Sequence, residues 1–154
     1  MDLENKPLPY FTHDNPYHEK LKSFDDFVLR DEEGENHRGQ WNEQAFNRKG
    51  PLVLEIGTGY GHFMQDYCAK NPSVNFVGMD YKFKRSFNLV KKLDSLQQRN
   101  FFYLRANAAR VDQLFGDSEL EKVFYFAQKQ HLRFIENIRF RFSRRRHTFH
   151  ISEN

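Results

Sequence analysis

The chain has 154 residues, about the length of one domain, with 24 Lys+Arg against 21 Asp+Glu and a formal net charge of +3. Hydrophobic residues make up 38% and aromatic residues 16%, with 17 Phe, which is enough for a core and argues against global disorder. No apolar run approaches the roughly 18 residues of a membrane span, residues 1–15 are polar with no signal-peptide core, and the single cysteine, Cys68, cannot form an internal disulfide. A membrane protein, a disulfide scaffold and a collagen-like chain are excluded, and a reduced, cytoplasmic setting is expected.

Residues 1–50 form a polar N-terminal extension with scattered aromatics and three prolines, Pro7, Pro9 and Pro16. One short strand is expected over 26–30, ended by the acidic turn Asp31-Glu32-Glu33-Gly34. Residues 51–126 differ in character. Leu52-Val53-Leu54-Glu55-Ile56 is almost continuously apolar, the pattern of a strand buried on both faces of a parallel sheet. A glycine-rich turn over 57–61 leads into a helix over 62–70, with Phe63, Tyr67 and Met64 facing inward and Asn71-Pro72 stopping it.

A second strand is expected over 74–79, ending at Asp80. A second helix follows over 84–98, with Phe87, Val90, Leu93 and Leu96 at helical spacing. A third strand over 101–104 precedes Asn107, a short helix covers 111–115, and a fourth strand over 121–126 contains Val123-Phe124-Tyr125-Phe126. The alternation predicts an α/β fold, a Rossmann-like doubly wound parallel sheet. Such sheets bind ligands at the carboxyl ends of their strands, where each candidate residue below falls.

Residues 127–154 form an atypical basic tail with no clean βα unit, although Arg139-Phe140-Arg141-Phe142 alternates as a strand with one basic and one aromatic face would. Seven Lys or Arg against Glu136 and Glu153 give this tail +5, which leaves −2 over residues 1–126. Two readings stand for it: an arm that binds nucleic acid, or a solvated end.

The chemistry concentrates at Glu55-Ile56-Gly57-Thr58-Gly59-Tyr60-Gly61, where a strand gives way to a helix. Glycine lets the backbone turn left-handed and approach a ligand closely, and the helix start offers free N–H groups. The dinucleotide fingerprint Gly-x-Gly-x-x-Gly fits poorly, because Gly61 comes one position early and His62 stands in its place. Glu55 puts a carboxylate inside the strand end, which suits a ligand with a cationic end better than a pyrophosphate. S-adenosylmethionine, with an α-amino group and a sulfonium, is such a ligand. A dinucleotide and a purely structural turn remain the alternatives.

Asp80 lies 19 residues past Gly61, the distance at which a strand-end carboxylate accepts ribose hydroxyls; a helix N-cap is the other reading. Asn107 offers both a donor and an acceptor, as an adenine edge requires, or it serves an Asx turn.

Other signals are weaker. Lys82, Lys84, Arg85, Lys91 and Lys92 form either a phosphate-binding or a solvated helix face. His13/His18 and His147/His150 have no partners at ligand spacing, so no metal is expected. Cys68 reads as packing, and Trp41 as covering the sheet or stacking on a base.

The run Leu54-Glu55-Ile56-Gly57-Thr58-Gly59-Tyr60-Gly61-His62-Phe63, then Phe76-Val77-Gly78-Met79-Asp80, resembles the bacterial tRNA (guanine-N7-)-methyltransferase family. Leu8-Pro9-Tyr10-Phe11 and Phe27-Val28-Leu29-Arg30 are similar to it as well, and the resemblance covers residues 8–126. It implies the class I methyltransferase fold, S-adenosylmethionine as cofactor, tRNA as partner, and methylation of guanine N7 in the variable loop. It places the cofactor contacts on Glu55, Asp80 and Asn107, around the turn of Gly57, Gly59 and Gly61.

The sequence departs from the family after Phe126. There the family continues with a Pro-Asp-Pro-Trp loop, whose Asp is a catalytic and binding residue, and with a Lys/Arg/His-rich stretch. Here Ala127-Gln128-Lys129-Gln130-His131 follows, and Pro-Asp-Pro-Trp occurs nowhere in the sequence. The catalytic residue is therefore unassigned, and a truncated or altered C-terminal part is expected. The expected function, by resemblance, is a tRNA guanine-N7 methyltransferase, with an active enzyme and one inactivated through that loss as the two readings. The alternatives are a non-catalytic RNA-binding remnant using the tail and an NAD-type dehydrogenase, which the loop spacing disfavours.

Overall fold

The run Leu52–Ile56 and the run Asn75–Asp80 are buried at every position, and they form the middle of the sheet. The computed structural model describes residues 14–97, 99–127 and 148–153. Its elements are α1 (Pro16–Lys20), a 3-10 turn (Leu21–Phe24), β1 (Val28–Arg30), α2 (Glu32–Glu35), a π-helical turn (Trp41–Phe46) and β2 (Leu52–Ile56). These are followed by α3 (His62–Lys70), β3 (Asn75–Asp80), α4 (Phe83–Asp94), β4 (Phe101–Arg105), a 3-10 turn (Ala108–Arg110), α5 (Val111–Leu114), β5 (Lys122–Ala127) and β6 (Thr148–Glu153).

The six strands are all parallel, in the order β1-β4-β3-β2-β5-β6. From β2 the chain steps outward to β3 and β4, then returns to the other flank of β2 as β5. The switch point of the sheet therefore lies at the carboxyl end of β2, where an open α/β sheet forms its ligand crevice.

The two-residue period of the strands sorts their side chains into two cores. Leu52, Leu54, Ile56, Val77, Met79, Val123 and Tyr125 pack on one face with Trp41, Val111, Leu114 and Phe115. Val53, Phe76, Phe101 and Tyr103 pack on the other with Met64 and Cys68 of α3 and Leu89, Val90 and Leu93 of α4. Trp41 covers the sheet: it is fully buried, stacks on Phe115 at 5.2 Å and donates its indole N–H to Leu114 O at 2.8 Å.

The doubly wound parallel sheet is as the sequence predicts, with differences in detail. The second helix runs Phe83–Asp94, and its buried stripe is Ser86, Leu89, Val90 and Leu93, whereas Phe87 and Leu96 are half-buried beside it. Ser95 ends this helix by hydrogen bonding Lys92 O at 2.6 Å. The acidic stretch after β1 is a one-turn helix, α2, entered through Asp31 at φ 46°. The tail, which shows no clean βα unit in sequence, adds Thr148–Glu153 as a parallel strand beside β5. The Arg139–Phe142 alternation lies outside the described residues. Among those residues, no helix is long and apolar enough to cross a membrane.

Gly61 joins the two sides of this packing. It enters α3 at φ +80°, and a Cβ there would meet Leu89 Cδ1 of α4 at 2.3 Å. Gly61→Ala should combine a left-handed backbone cost with overpacking, for a loss of about 2–4 kcal/mol. Denaturant unfolding checks this, with an unchanged midpoint as the contrary result.

Candidate functional site

The tip of β2 is fastened to the tip of β3 through the backbone. Gly57 N donates to Met79 O at 2.8 Å, and Thr58 N donates to the same oxygen at 3.3 Å. Gly59 N donates to Asp80 Oδ2 at 3.2 Å, and Lys82 N donates to Asp80 Oδ1 at 3.1 Å. Asp80 is thus held from both sides and points at the glycine turn. Gly59 adopts φ +56°, and a Cβ on Gly57 or Gly59 would meet no atom within 4 Å. The outer surface of the turn is open to close approach.

Glu55 lies beneath that turn, 1% exposed, and its Oε2 is buried without a hydrogen-bond partner. Register puts it opposite Gly78 of β3, on the same face as Asp80 two residues on. Burial, and then the negative charge of Asp80, push the Glu55 carboxyl up to about 8. At neutral pH this acid is mostly protonated until a cation reaches it. The Cys68 thiol is pushed up to about 12, first by burial and then by Glu55. That makes Cys68 a packing residue and a poor nucleophile.

Glu55, Gly57, Gly59, Gly61 and Asp80 therefore converge on one place. Asn107 lies past the end of β4, exposed, and its Oδ1 accepts from Ala109 N at 2.9 Å, capping the 3-10 turn. It makes no hydrogen bond to the other five. The N-terminal histidine His13 and the tail residues 128–147 lie outside the described residues.

Two supports of the site are not evident from sequence. The hydroxyl of fully buried Tyr103 donates to Ser86 Oγ at 2.7 Å and lies 3.5 Å from Thr58 Oγ1, linking β4, α4 and the glycine turn. Burial, with Asp80 next, raises the Tyr103 hydroxyl, which stays neutral. Ser86 occupies the buried stripe of α4, so a small polar residue at helical spacing from Leu89 and Leu93 was the available signal. The second support is Arg105 at the end of β4, which is buried, forms an ion pair with buried Asp31, donates to Tyr81 O at 3.1 Å and lies 4.4 Å from the Phe83 ring. It braces the segment immediately after Asp80.

The protonation of Glu55 sets a pH dependence. Between about 4.5 and 8 the folded chain holds this proton and the unfolded chain does not. Stability from this group is therefore full below the lower value and lost as pH rises through the upper one, by at most about 5 kcal/mol. Glu55→Gln should flatten this decline, leaving the variant more stable than the parent at pH 9 and close to it at pH 4. Urea unfolding across that range measures both slopes; parallel slopes would contradict the buried, unpaired carboxyl.

Residues 49–130 match the family described as "Putative methyltransferase". A tRNA (guanine-N(7)-)-methyltransferase of Geobacillus sp. (strain WCH70) is 29% identical over 124 residues, covering 80% of this chain and 51% of the relative. The tRNA (guanine-N(7)-)-methyltransferase of Clostridioides difficile (strain 630) is 30% identical over 106 residues, covering 69% of this chain and 49% of the relative. The chain spans about half the length of these curated relatives.

The fold is similar to that of Haemonchus contortus phospholethanolamine N-methyltransferase 2, solved with phosphomonomethylethanolamine and S-adenosylhomocysteine. The TM-score is 0.55 at 17% identity, covering 67% of this chain and 24% of that one. The matched family stretch runs from just before β2 to just past β5 and includes the glycine turn and both strand-end acids: the chain belongs to this methyltransferase family.

Proposed function

We propose that this chain carries the S-adenosylmethionine-binding part of an enzyme that forms 7-methylguanine in the variable loop of tRNA in the cytoplasm. The observation that carries the reading is the unpaired Oε2 of Glu55, buried under an open glycine turn beside Asp80. A buried acceptor with no partner is costly unless a ligand supplies one. An α-ammonium group supplies both the hydrogen bond and the charge.

The other donors and acceptors fit the same ligand. The Asp80 oxygens each accept one backbone N–H and keep lone pairs for ribose hydroxyls. The open face of Gly57 and Gly59 admits the backbone to the ligand's middle. Asn107 takes the adenine edge with its amide. When bound, S-adenosylmethionine supplies a methyl group on a cationic sulfur.

Guanine N7 has a free lone pair and no proton at neutral pH, so no general base is needed. The work of the protein is to align donor and acceptor, an effect of proximity and orientation. Glu55, Asp80 and the glycine turn fix the donor side. The acceptor side is where the sequence departs from the family, since the Pro-Asp-Pro-Trp loop is absent and no catalytic residue is assigned. On its own, this chain should bind the cofactor and methylate tRNA far more slowly than the relatives do.

Calorimetry tests the cofactor half. S-adenosylmethionine should bind at one site at pH 7, releasing about 0.9 proton as Glu55 ionises, which comparison of buffers with different ionisation heats reads directly. Glu55→Gln should bind more weakly and release no proton, and Asp80→Ala should weaken binding at least about tenfold, as loss of charge-assisted hydrogen bonds does. No saturable heat with the parent chain sinks the reading. Transfer of labelled methyl to a tRNA transcript tests the other half, and a rate near that of a longer relative would overturn the claim of slow transfer.

A further inference from the structure

A cleft of about 560 Å³ adjoins the glycine turn, lined by residues beside and in α1 and by α4; Glu55 does not line it. Of the glycine turn, Gly59 and Tyr60 line it. Its charged lining residues, Lys82, Lys84, Arg85 and Lys92, are all cations, and no carboxylate lines it. None of the four forms an ion pair among the described residues. This is not the average of the surroundings, because residues 1–126 sum to −2.

Two of the cations share one helix face, and Arg85 adjoins one of them. Lys84, Asn88 and Lys92 are spaced i, i+4, i+8, so they stand on one face of α4 over about 12 Å. At the end nearest the glycine turn stands Tyr60, 69% exposed, with the Arg85 guanidinium 5.9 Å from its ring. Exposed aromatic rings beside a row of cations are the combination that grips unpaired nucleotides: phosphates meet the charges and a base stacks on the ring.

We propose that this cleft seats a single-stranded stretch of the RNA substrate, with its phosphates on Lys84, Arg85 and Lys92 and an unpaired base on Tyr60. The proposal rests on the tRNA reading above and adds to it the surface used. Bound there, the RNA runs past Gly59 and Tyr60 of the glycine turn.

The test is fluorescence anisotropy of the full chain with an unmodified tRNA transcript, titrated against salt, and with poly-glutamate as competitor. The triple variant Lys84→Gln, Arg85→Gln, Lys92→Gln changes only exposed side chains and should keep its S-adenosylmethionine affinity in calorimetry. It should bind tRNA at least about tenfold more weakly, and the log–log salt slope should fall by about 2, the value for three lost single-strand contacts. Tyr60→Leu should weaken binding with the slope unchanged.

An unaltered slope in the triple variant overturns the proposal, as does poly-glutamate competing as well as tRNA at equal charge, which would make the cleft a seat for acidic protein. Tyr60→Leu binding as tightly as the parent removes the stacked base. Loss of cofactor binding in the parent, with the tRNA slope as described, would overturn the function proposed above and leave this surface standing.

Discussion

Everything at the ligand-facing end of this sheet depends on one arrangement: a backbone turn fastened to the neighbouring strand, with an acid on either side of the fastening. The two N–H groups that Gly57 and Thr58 give to Met79 O fix the turn over the strand tips. The Gly59 N–H then neutralises part of the Asp80 charge. The remaining acid, Glu55, has no such partner. Two carboxylates so close cannot both ionise cheaply in a buried site, so one is satisfied by backbone donors and the other holds a proton. Under the proposed function, this asymmetry suits Glu55 to a cation and Asp80 to neutral hydroxyls.

The rest of the fold serves to hold this arrangement still. Parallel strands bring their carboxyl ends to one edge, and the reversal of winding at β2 leaves that edge uncovered. The N-terminal stretch contributes more than its polarity suggests. It supplies β1 next to β4, Trp41 over one core, and Asp31, whose ion pair with Arg105 braces the segment after Asp80. A buried ion pair is weak evidence for net stability. Its geometric effect is clearer here: one terminal nitrogen of Arg105 is held by Asp31 while the other donates to the carbonyl of Tyr81.

What the sequence makes legible follows from how local each signal is. Buried runs such as 52–56, the Gly57-Thr58-Gly59 turn and strand-end acids carry their meaning within a few residues, and these positions come together as read. Elements set by distant partners do not show. The helix α2 begins at Asp31 because Arg105, 74 residues away, holds that aspartate in an uncommon backbone conformation. The stripe of α4 includes Ser86 because Tyr103 waits across the core. Strand β6 is defined by its pairing to β5 rather than by its own pattern. Asn107 is the instructive case, since the same side chain can cap a turn or meet a base, and in this structure it caps.

The protonated state of Glu55 also bears on affinity. At pH 7 a carboxyl with its midpoint at about 8 must lose its proton before it can pair with a cation, which costs about 1.4 kcal/mol, or tenfold in binding. That is small beside the charge-assisted hydrogen bond formed in a site of low dielectric. A permanently ionised acid at the same place would destabilise the ligand-free fold at every pH of interest. A carboxyl that ionises only when a cation arrives avoids that cost. Under the proposed function, any preference for a cationic ligand end would come from the buried acid, because the glycine pattern by itself would accept any ligand able to approach the backbone.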